Sequence, residues 1–322
     1  MLAPEFWDRD DALSRLAVTA LTPFGLIYGT TVDWKARHAS PYHAPVPVIC
    51  IGNITAGGTG KTPVAMAIAR ALIARGRKPY FLSRGYGGEI AGPVLVTPEH
   101  DAGKVGDEPL LLARVAPTIV SRHRPDGAKL AVERGADVIV MDDGHQNFSL
   151  AKNLSIVVVD AERGFGNGRI LPAGPLREPV RQGLTRADAI VLVGNGNPQL
   201  EDYQGTVLRA RLLPTGTELA ARRVAAFAGI GRPAKFFETL RSIGAEVVST
   251  EAFADHHRYT EREIERLKTR ARDQNAQLVT TEKDYVRMAK AEREGIAVLT
   301  IQAVISPAES LERLLDRRDA PR

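Results

Sequence analysis

The segment Thr55-Ala-Gly-Gly-Thr-Gly-Lys-Thr62 sets three glycines ahead of a lysine and a hydroxyl residue, a spacing that suits a polyphosphate. Gly57, Gly58 and Gly60 let successive N–H groups turn inward around phosphate oxygens, with Thr55, Ala56 and Thr59 completing the loop. A helix beginning near Thr62 adds its positive end. In such a loop Lys61 bridges the β- and γ-phosphates of ATP and the Thr62 hydroxyl ligates Mg²⁺. The plain alternative, a tight glycine turn, does not account for Lys61-Thr62 or for the strand before and the helix after them.

Three further groups have chemical potential. Met141-Asp142-Asp143-Gly144-His145-Gln146 follows an apolar strand, so Asp142 or Asp143 would stand on the sheet edge that carries the phosphate loop and could hold the metal. Paired aspartates also end strands as ordinary turn residues. Gly106-Asp107-Glu108-Pro109 precedes a helix, where Asp107 is either an N-cap or a base for an attacking hydroxyl. Asp255-His256-His257 precedes a helix capped by Thr260 and Glu263; a carboxylate beside an imidazole can orient it for proton transfer, and a solvated loop is the competing reading.

Placing these groups requires alternating strands and helices. Val46–Ile51, 79–83, 118–121, 137–141, 154–160 and 189–193 read as buried strands, and helices are expected at 62–75, 108–115 and 126–134. The fold class is α/β, a P-loop NTPase-like, largely parallel sheet with helices on both faces. A second α/β pattern begins after 206–213, which predicts an N-terminal segment 1–40, a core domain 41–220 and a smaller C-terminal α/β domain 221–322. The stretch 164–179 is a glycine- and proline-rich loop of the length that usually carries function.

Composition narrows the partners. Of the 322 residues 44% are hydrophobic and 25% charged, which excludes a disordered or collagen-like chain, and the single cysteine, Cys50, cannot form an internal disulfide. Lys and Arg exceed Asp and Glu by 43 to 38, enough for an anionic partner; the basic residues are not interleaved with aromatics, so no nucleic acid is expected. Residues 16–32 are 17 uncharged positions interrupted by Pro23 and Gly25, short of a confident span. With Phe6, Trp7, Phe24, Tyr28 and Trp34, the segment reads as an interfacial helix at a membrane surface or as a helix packed on its own domain.

Taken together, Ile51 to Pro63, Ser83-Arg-Gly-Tyr86, Gly106 to Pro109, Asp142-Asp-Gly144 with Gln146, Leu171 to Pro179, Asp255-His256 and Thr280-Thr-Glu-Lys-Asp284 resemble the tetraacyldisaccharide 4′-kinase family. The resemblance implies ATP- and Mg²⁺-dependent phosphorylation of the 4′-hydroxyl of a lipid disaccharide 1-phosphate in lipid A assembly, at the cytoplasmic face of the bacterial inner membrane. It implies that Lys61 and Thr62 bind nucleotide and metal, that Asp107 is the base with His256 as partner, that Asp142, Asp143 and Gln146 serve the metal, and that Arg177 stabilises transferring charge. It also implies hinge closure to bring His256 to the core domain. One departure is visible: the family pattern after Asp-Asp-Gly is aromatic-Gln-His, and here it is His145-Gln146-Asn147. A regulatory GTPase or metal-inserting chaperone is the alternative, disfavoured because Lys283 and Asp284 are adjacent where guanine recognition uses Lys-x-Asp.

Overall fold

The computed structural model describes residues 4–200, 203–215 and 218–316. Helix α1 (Ala12–Arg37) leads to β1 (Val48–Gly52), α2 (Lys61–Ala74), β2 (Pro79–Ser83), β3 (Val94–Leu95), α3 (Ala102–Val105), α4 (Asp107–Leu112), β4 (Thr118–Val120), α5 (Arg124–Glu133) and β5 (Val138–Asp142). The chain continues through β6 (Leu154–Asp160), α6 (Val180–Thr185), β7 (Ala189–Val193), β8 (Thr206–Thr215), β9 (Arg223–Ala228), α7 (Pro233–Ser242) and β10 (Glu246–Ala252). It ends with α8 (Glu261–Asp273), β11 (Gln277–Thr281), α9 (Glu282–Arg287), β12 (Ile296–Ser306) and α10 (Ala308–Asp316). Every residue of β1, β5, β6 and β7 is buried, as expected of parallel strands covered on both faces.

Among the described residues the strands form one 12-stranded sheet in the order β10-β9-β11-β12-β8-β7-β6-β1-β5-β2-β4-β3. Neighbours are parallel except at β3–β4 and β8–β12. The β8–β12 pair positions the chemistry. Strand β8 runs beside β7 over Thr206–Ala210 and continues past it, pairing over Arg209–Thr215 with the oncoming β12. Strands β9, β10 and β11 follow the direction of β12, so their C-terminal ends are turned toward the C-terminal ends of β1, β2, β4, β5 and β6.

Alternation along each strand sorts side chains into separate cores. Ile49 and Ile51 pack with α2 on one face while Val48 and Cys50 pack with α5 on the other. In the second region Val224 and Ala226 meet Phe236, Phe237 and Leu240 of α7, and Ala225 and Phe227 meet Ile264 and Leu267 of α8. The segment 221–322 does not stay together: Leu311, Leu314 and Leu315 of α10 pack into the core of the first region.

Two expectations about the N-terminal segment are corrected. Pro23 and Gly25 do not interrupt it, and α1 is one helix of 26 residues, started by Asp11, which accepts from the Ser14 amide at 2.9 Å. With a mean hydropathy of 1.2 over its most apolar window, it is long and apolar enough to cross a membrane. Gly25 and Gly29 act as contact points: a Cβ at either would come within 2.8 Å of Ile170, at its carbonyl oxygen and its Cδ1 respectively. Trp7 adds a bond from its indole N–H to the Pro172 carbonyl at 3.1 Å. Gly25→Leu is therefore expected to unseat α1 while leaving the sheet intact. Proteolytic cleavage in the connection 38–47 should accelerate several-fold with little change in global melting temperature, and an unchanged cleavage rate would show that the glycine contact does not hold the helix.

Candidate active site

The phosphate loop sits where the sequence puts it, between β1 and α2. Gly60, with φ of 85°, caps α2, and Gly57, with φ of 105°, makes the preceding turn. A Cβ on Gly57 or Gly58 would meet nothing within 4 Å, so the loop is open on its outer side. Among the described residues, Gly57, Gly58, Thr59 and Gly60 donate no backbone hydrogen bond within the protein, which leaves their amides for a ligand. Ala56 is a correction: its amide donates to the Pro175 carbonyl at 2.7 Å, and Thr55 bridges Leu176. These two residues tie the loop to the stretch 164–179, and the cradle itself runs from Gly57 to Thr62.

That tie places Arg177. Its amide donates to the Ile54 carbonyl at 2.7 Å, and its Nη1 bonds Asp143 at 2.9 and 3.1 Å. Lys61 Nζ lies 3.6 Å from the same carboxylate. Burial alone would raise the Asp143 pKa, but the Lys61 and Arg177 charges hold it down to about 2. Asp143 thus keeps two cations at the mouth of the loop and is ionised at neutral pH.

Asp142 is its opposite. Both carboxylate oxygens are buried without a hydrogen-bond partner among the described residues, and burial, with Glu108 and Asp143 nearby, pushes its pKa up to about 7. An uncompensated buried carboxylate beside a phosphate loop suits a cation. Asp142 and the buried Thr62 hydroxyl are hard oxygen donors of the kind Mg²⁺ takes, one or two from the protein and the rest from phosphate and water. Consistent with so small a protein share, no cluster of three or more His, Cys, Asp or Glu is arranged for a metal among the described residues.

Gln146 has a bracing role that its Nε2 fills, and Oε1, the atom that would ligate a metal, takes no part in it. Its amide nitrogen donates to the Asn53 carbonyl and to Glu178, both at 2.8 Å, and so braces the start of the phosphate loop. His145 is structural: it is fully buried, its Nε2 bonds the Gly183 carbonyl at 2.9 Å, and burial depresses its pKa to about 3.

Asp107 is not the N-cap of α4. Gly106 holds that place with φ of 88°, where a Cβ would lie 2.5 Å from the Tyr86 carbonyl oxygen, and Asp107 begins the helix as a buried residue. Facing it across the seam is His256, whose Nδ1 is 3.5 Å from Asp107 Oδ2. His256 reaches there in a left-handed conformation, φ 59°, with its amide on the Gly229 carbonyl at 3.1 Å. His257 pairs with Glu263 at 3.2 Å and stacks on Phe253, so it belongs to the loop's support.

Sequence reasoning missed the residues that join the two sides. Arg287 bonds Asp107 through Nε at 2.8 Å and again through Nη2, and Lys283 pairs with Glu108 at 2.7 Å. Burial would raise the Asp107 pKa, but the charges of Lys283 and Arg287, with the hydrogen bonds from Arg287, hold it well below the usual carboxylate range. On the far side Arg232 pairs with Asp160, and Lys235 with Glu162 at 3.2 Å. The signal was present in Thr280-Thr-Glu-Lys-Asp284, which closes β11 as the aspartates close β5, with Arg287 one turn on from Lys283 and Asp284.

Known proteins similar to this chain share one family description. A family profile described as tetraacyldisaccharide-1-P 4′-kinase matches residues 17–319. The chain is 52% identical over 324 residues to the tetraacyldisaccharide 4′-kinase of Paramagnetospirillum magneticum, covering 98% of each chain. It is 47% identical over 327 residues to that of Rhodospirillum rubrum, again covering 98% of each. Among solved structures, a crystal structure of LpxK from Aquifex aeolicus in complex with ATP is similar, with a TM-score of 0.76, 26% identity and coverage of 94% of this chain and 99% of that one.

The unpartnered carboxylate has a measurable consequence. With its pKa raised to about 7 against roughly 3.9 unfolded, folded Asp142 retains a proton that the unfolded chain releases, so the uncomplexed protein loses stability as pH rises between these values. Asp142→Asn is expected to raise the melting temperature, little near pH 4 and most above pH 7, while abolishing any stabilisation by Mg²⁺ with ATP. A variant that melts at or below the wild type at pH 8 would contradict the burial argument.

Proposed function

The chain belongs to the tetraacyldisaccharide-1-P 4′-kinase family and has its lipid A 4′-kinase activity, and from that premise we propose how its residues carry out the transfer. The hydroxyl oxygen at the 4′ position attacks the γ-phosphorus of ATP, the bond from that phosphorus to the β–γ bridging oxygen breaks, and ADP leaves with the oxygen. The hydroxyl proton passes to Asp107. The observation carrying this assignment is the approach of Asp107 and His256, 3.5 Å apart, from opposite sides of a seam where Lys61 of the phosphate loop acts through its charge on the neighbouring Glu108.

In this reading the amides of Gly57 to Thr62 cradle the β- and γ-phosphates and Lys61 exchanges part of its interaction with Asp143 for them. Arg177, held by the same carboxylate at 2.9 Å, sits ready to take up charge on the transferring group. Asp142 and Thr62 would hold Mg²⁺, which when bound offsets phosphate charge and fixes the phosphate geometry. Cys50 and Gly52 of β1 and the following Asn53 are buried beneath the cradle. We assign residues 221–306 as the closing element that carries His256 to Asp107 and excludes water, which suppresses hydrolysis of ATP. The regulatory GTPase alternative has no remaining support.

The substrate's acyl chains require a membrane surface, and α1 is built for one. Leu13, Leu16, Phe24, Leu26, Ile27 and Trp34 are exposed by 61% or more. Gly25 and Gly29 rest on Ile170 midway along the helix and Trp7 and Asp8 bind Pro172 and Arg163 near its start, so the protein body lies alongside α1. That arrangement favours a helix lying in the headgroup interface over one crossing the bilayer. The cytoplasmic face is where ATP is available, and the formal charge of +5 suits its anionic lipids.

Two measurements test these assignments. Asp107→Ala should lower kcat by roughly 10² to 10⁴ with Mg²⁺, ATP and tetraacyldisaccharide 1-phosphate, the usual reach of a general base; near-wild-type turnover would remove Asp107 from the chemistry. Leu16→Glu with Ile27→Glu should weaken co-sedimentation with phosphatidylglycerol vesicles about tenfold or more, given about 1.5–3 kcal/mol for each buried aliphatic side chain. Unchanged binding would exclude α1 as the membrane contact.

A further inference from the structure

Arg287 is the most constrained side chain at the seam, 4% exposed and bonded on all sides. Its Nε donates to Asp107 Oδ2 at 2.8 Å and Nη2 donates to the same oxygen. Its Nη1 donates to Asp284 Oδ1 at 3.0 Å and to the Gly229 carbonyl at 2.6 Å. Asp284 is itself held, accepting from the Tyr259 hydroxyl at 3.0 Å and the Thr281 hydroxyl at 2.7 Å. The guanidinium is therefore fixed in plane by groups of the second region while its other edge grips a carboxylate of the first.

Its Nη2 also lies 3.2 Å from Nδ1 of His256. A guanidinium has five donors, no acceptor and a permanent charge, so in that contact Nδ1 must accept. The same nitrogen is 3.5 Å from Asp107 Oδ2, at the outer edge of hydrogen bonding, and it cannot donate there while accepting from arginine. Gly229 links the two residues a second time, since its carbonyl accepts from both Arg287 and the His256 amide.

We propose that Arg287 is a positioning residue for the transfer: it holds His256 as the Nε2–H tautomer and covers Oδ2 of Asp107, leaving Oδ1 to receive the acceptor proton. Among the described residues Oδ1 accepts only the Glu108 amide, at 2.9 Å, and so keeps a lone pair. The inference rests on the reading of Asp107 as the base. It differs from a direct Asp107–His256 pair, in which the imidazole itself would donate to the carboxylate.

The charged groups around Asp107 and its neighbours Glu108 and Arg287 are Lys283 and Asp284 on α9, Lys61 on α2, and Asp255 and His256 in the loop after β10. Lys283 is bonded to Glu108 at 2.7 Å and acts on Asp107 through charge alone, which leaves Arg287 as the cation bonded to the base. Removing it should make Asp107 a stronger base that is less well placed.

The direct test is nitrogen NMR of the full-length protein labelled in its histidines, with His256→Gln identifying the signal of interest among the seven. Above the imidazole titration the expected spectrum has His256 Nδ1 bare and Nε2 protonated; a protonated Nδ1 overturns the proposal without touching the base assignment. The kinetic test compares Arg287→Met and Arg287→Lys. In Arg287→Met the acid limb of kcat/KM should move up by about one to two pH units and kcat should fall about 10- to 100-fold, with KM for ATP changing less than about threefold. Arg287→Lys should keep the wild-type limb. A limb that stays in place in Arg287→Met, or a loss confined to KM for ATP, would overturn the proposal, and if that variant fails to fold the tautomer decides. Full activity in Asp107→Asn would instead sink the underlying base assignment, whichever tautomer is found.

Discussion

The antiparallel contact between β8 and β12 is the constraint on which the chemistry depends. Open α/β sheets bind ligands at the C-terminal edges of their strands, and such an edge ordinarily faces solvent. Here β8 overshoots its parallel neighbour and takes up β12 in the opposite sense, so a second set of C-terminal edges is turned toward the first. The groups at strand ends then converge from both sides: the phosphate loop, Asp107 and Asp142 from one, and His256, Lys283 and Arg287 from the other. Without the reversal, the residues after β10 and β11 would point away from the nucleotide.

Electrostatics decides how that seam is held. Asp107, Glu108, Asp143, Asp160 and Glu162 each face at least one cation, namely Arg287, Lys283, Lys61 with Arg177, Arg232 and Lys235. Several of these pairs join opposite sides, and an ion pair loses much of its value where water can screen it. The Asp107–Arg287 pair is buried and escapes that screening, whereas Lys235 and Glu162 are exposed to it. Asp142 differs in that its buried carboxylate accepts no hydrogen bond among the described residues, although Lys61, Lys283 and Arg124 act on it through charge. An enzyme that must take up a metal with its nucleotide gains from such a group, since the cost of burying it is relieved only when the cation arrives.

Much of this was legible in the residues, and the parts that were not share a cause. The phosphate loop announces itself because its backbone demands glycine at fixed spacing, and the buried strands do so because both faces are covered. The capping box of Thr260 and Glu263 is present as expected, with the Glu263 carboxylate accepting the Thr260 amide at 2.8 Å. The bracing role of Gln146 was not legible because its partners, Asn53 and Glu178, come from distant segments. Arg287 escaped notice because nothing local distinguishes it from the solvated arginines of α8, two of which, Arg266 and Arg270, do lie on an exposed face against Glu251. What separates them is the topology that puts α9 against α4. The continuity of α1 through Pro23 was hidden for a related reason: the helix is seated by Ile170, almost 150 residues away in sequence.

The loop from Gly164 to Pro179 explains how membrane and nucleotide sites are built as one. Ile170 lies under Gly25 and Gly29 of α1, Leu176 bridges Thr55, the Pro175 carbonyl takes the Ala56 amide, and Arg177 binds Asp143 beside Lys61. The eight residues from Ile170 to Arg177 therefore connect the helix proposed as the membrane contact to the cations proposed to receive the phosphate. A substrate whose acyl chains stay in the bilayer can present its sugar hydroxyl only at a fixed height above it. Because the loop packs on the helix and bonds to the stem of the phosphate loop, in the proposed reading the depth at which α1 lies would also set the height of the γ-phosphate. A flexible tether of similar length would hold the enzyme at the membrane but leave that distance undefined, and in-line attack needs the two reacting atoms within about 3–3.5 Å of each other.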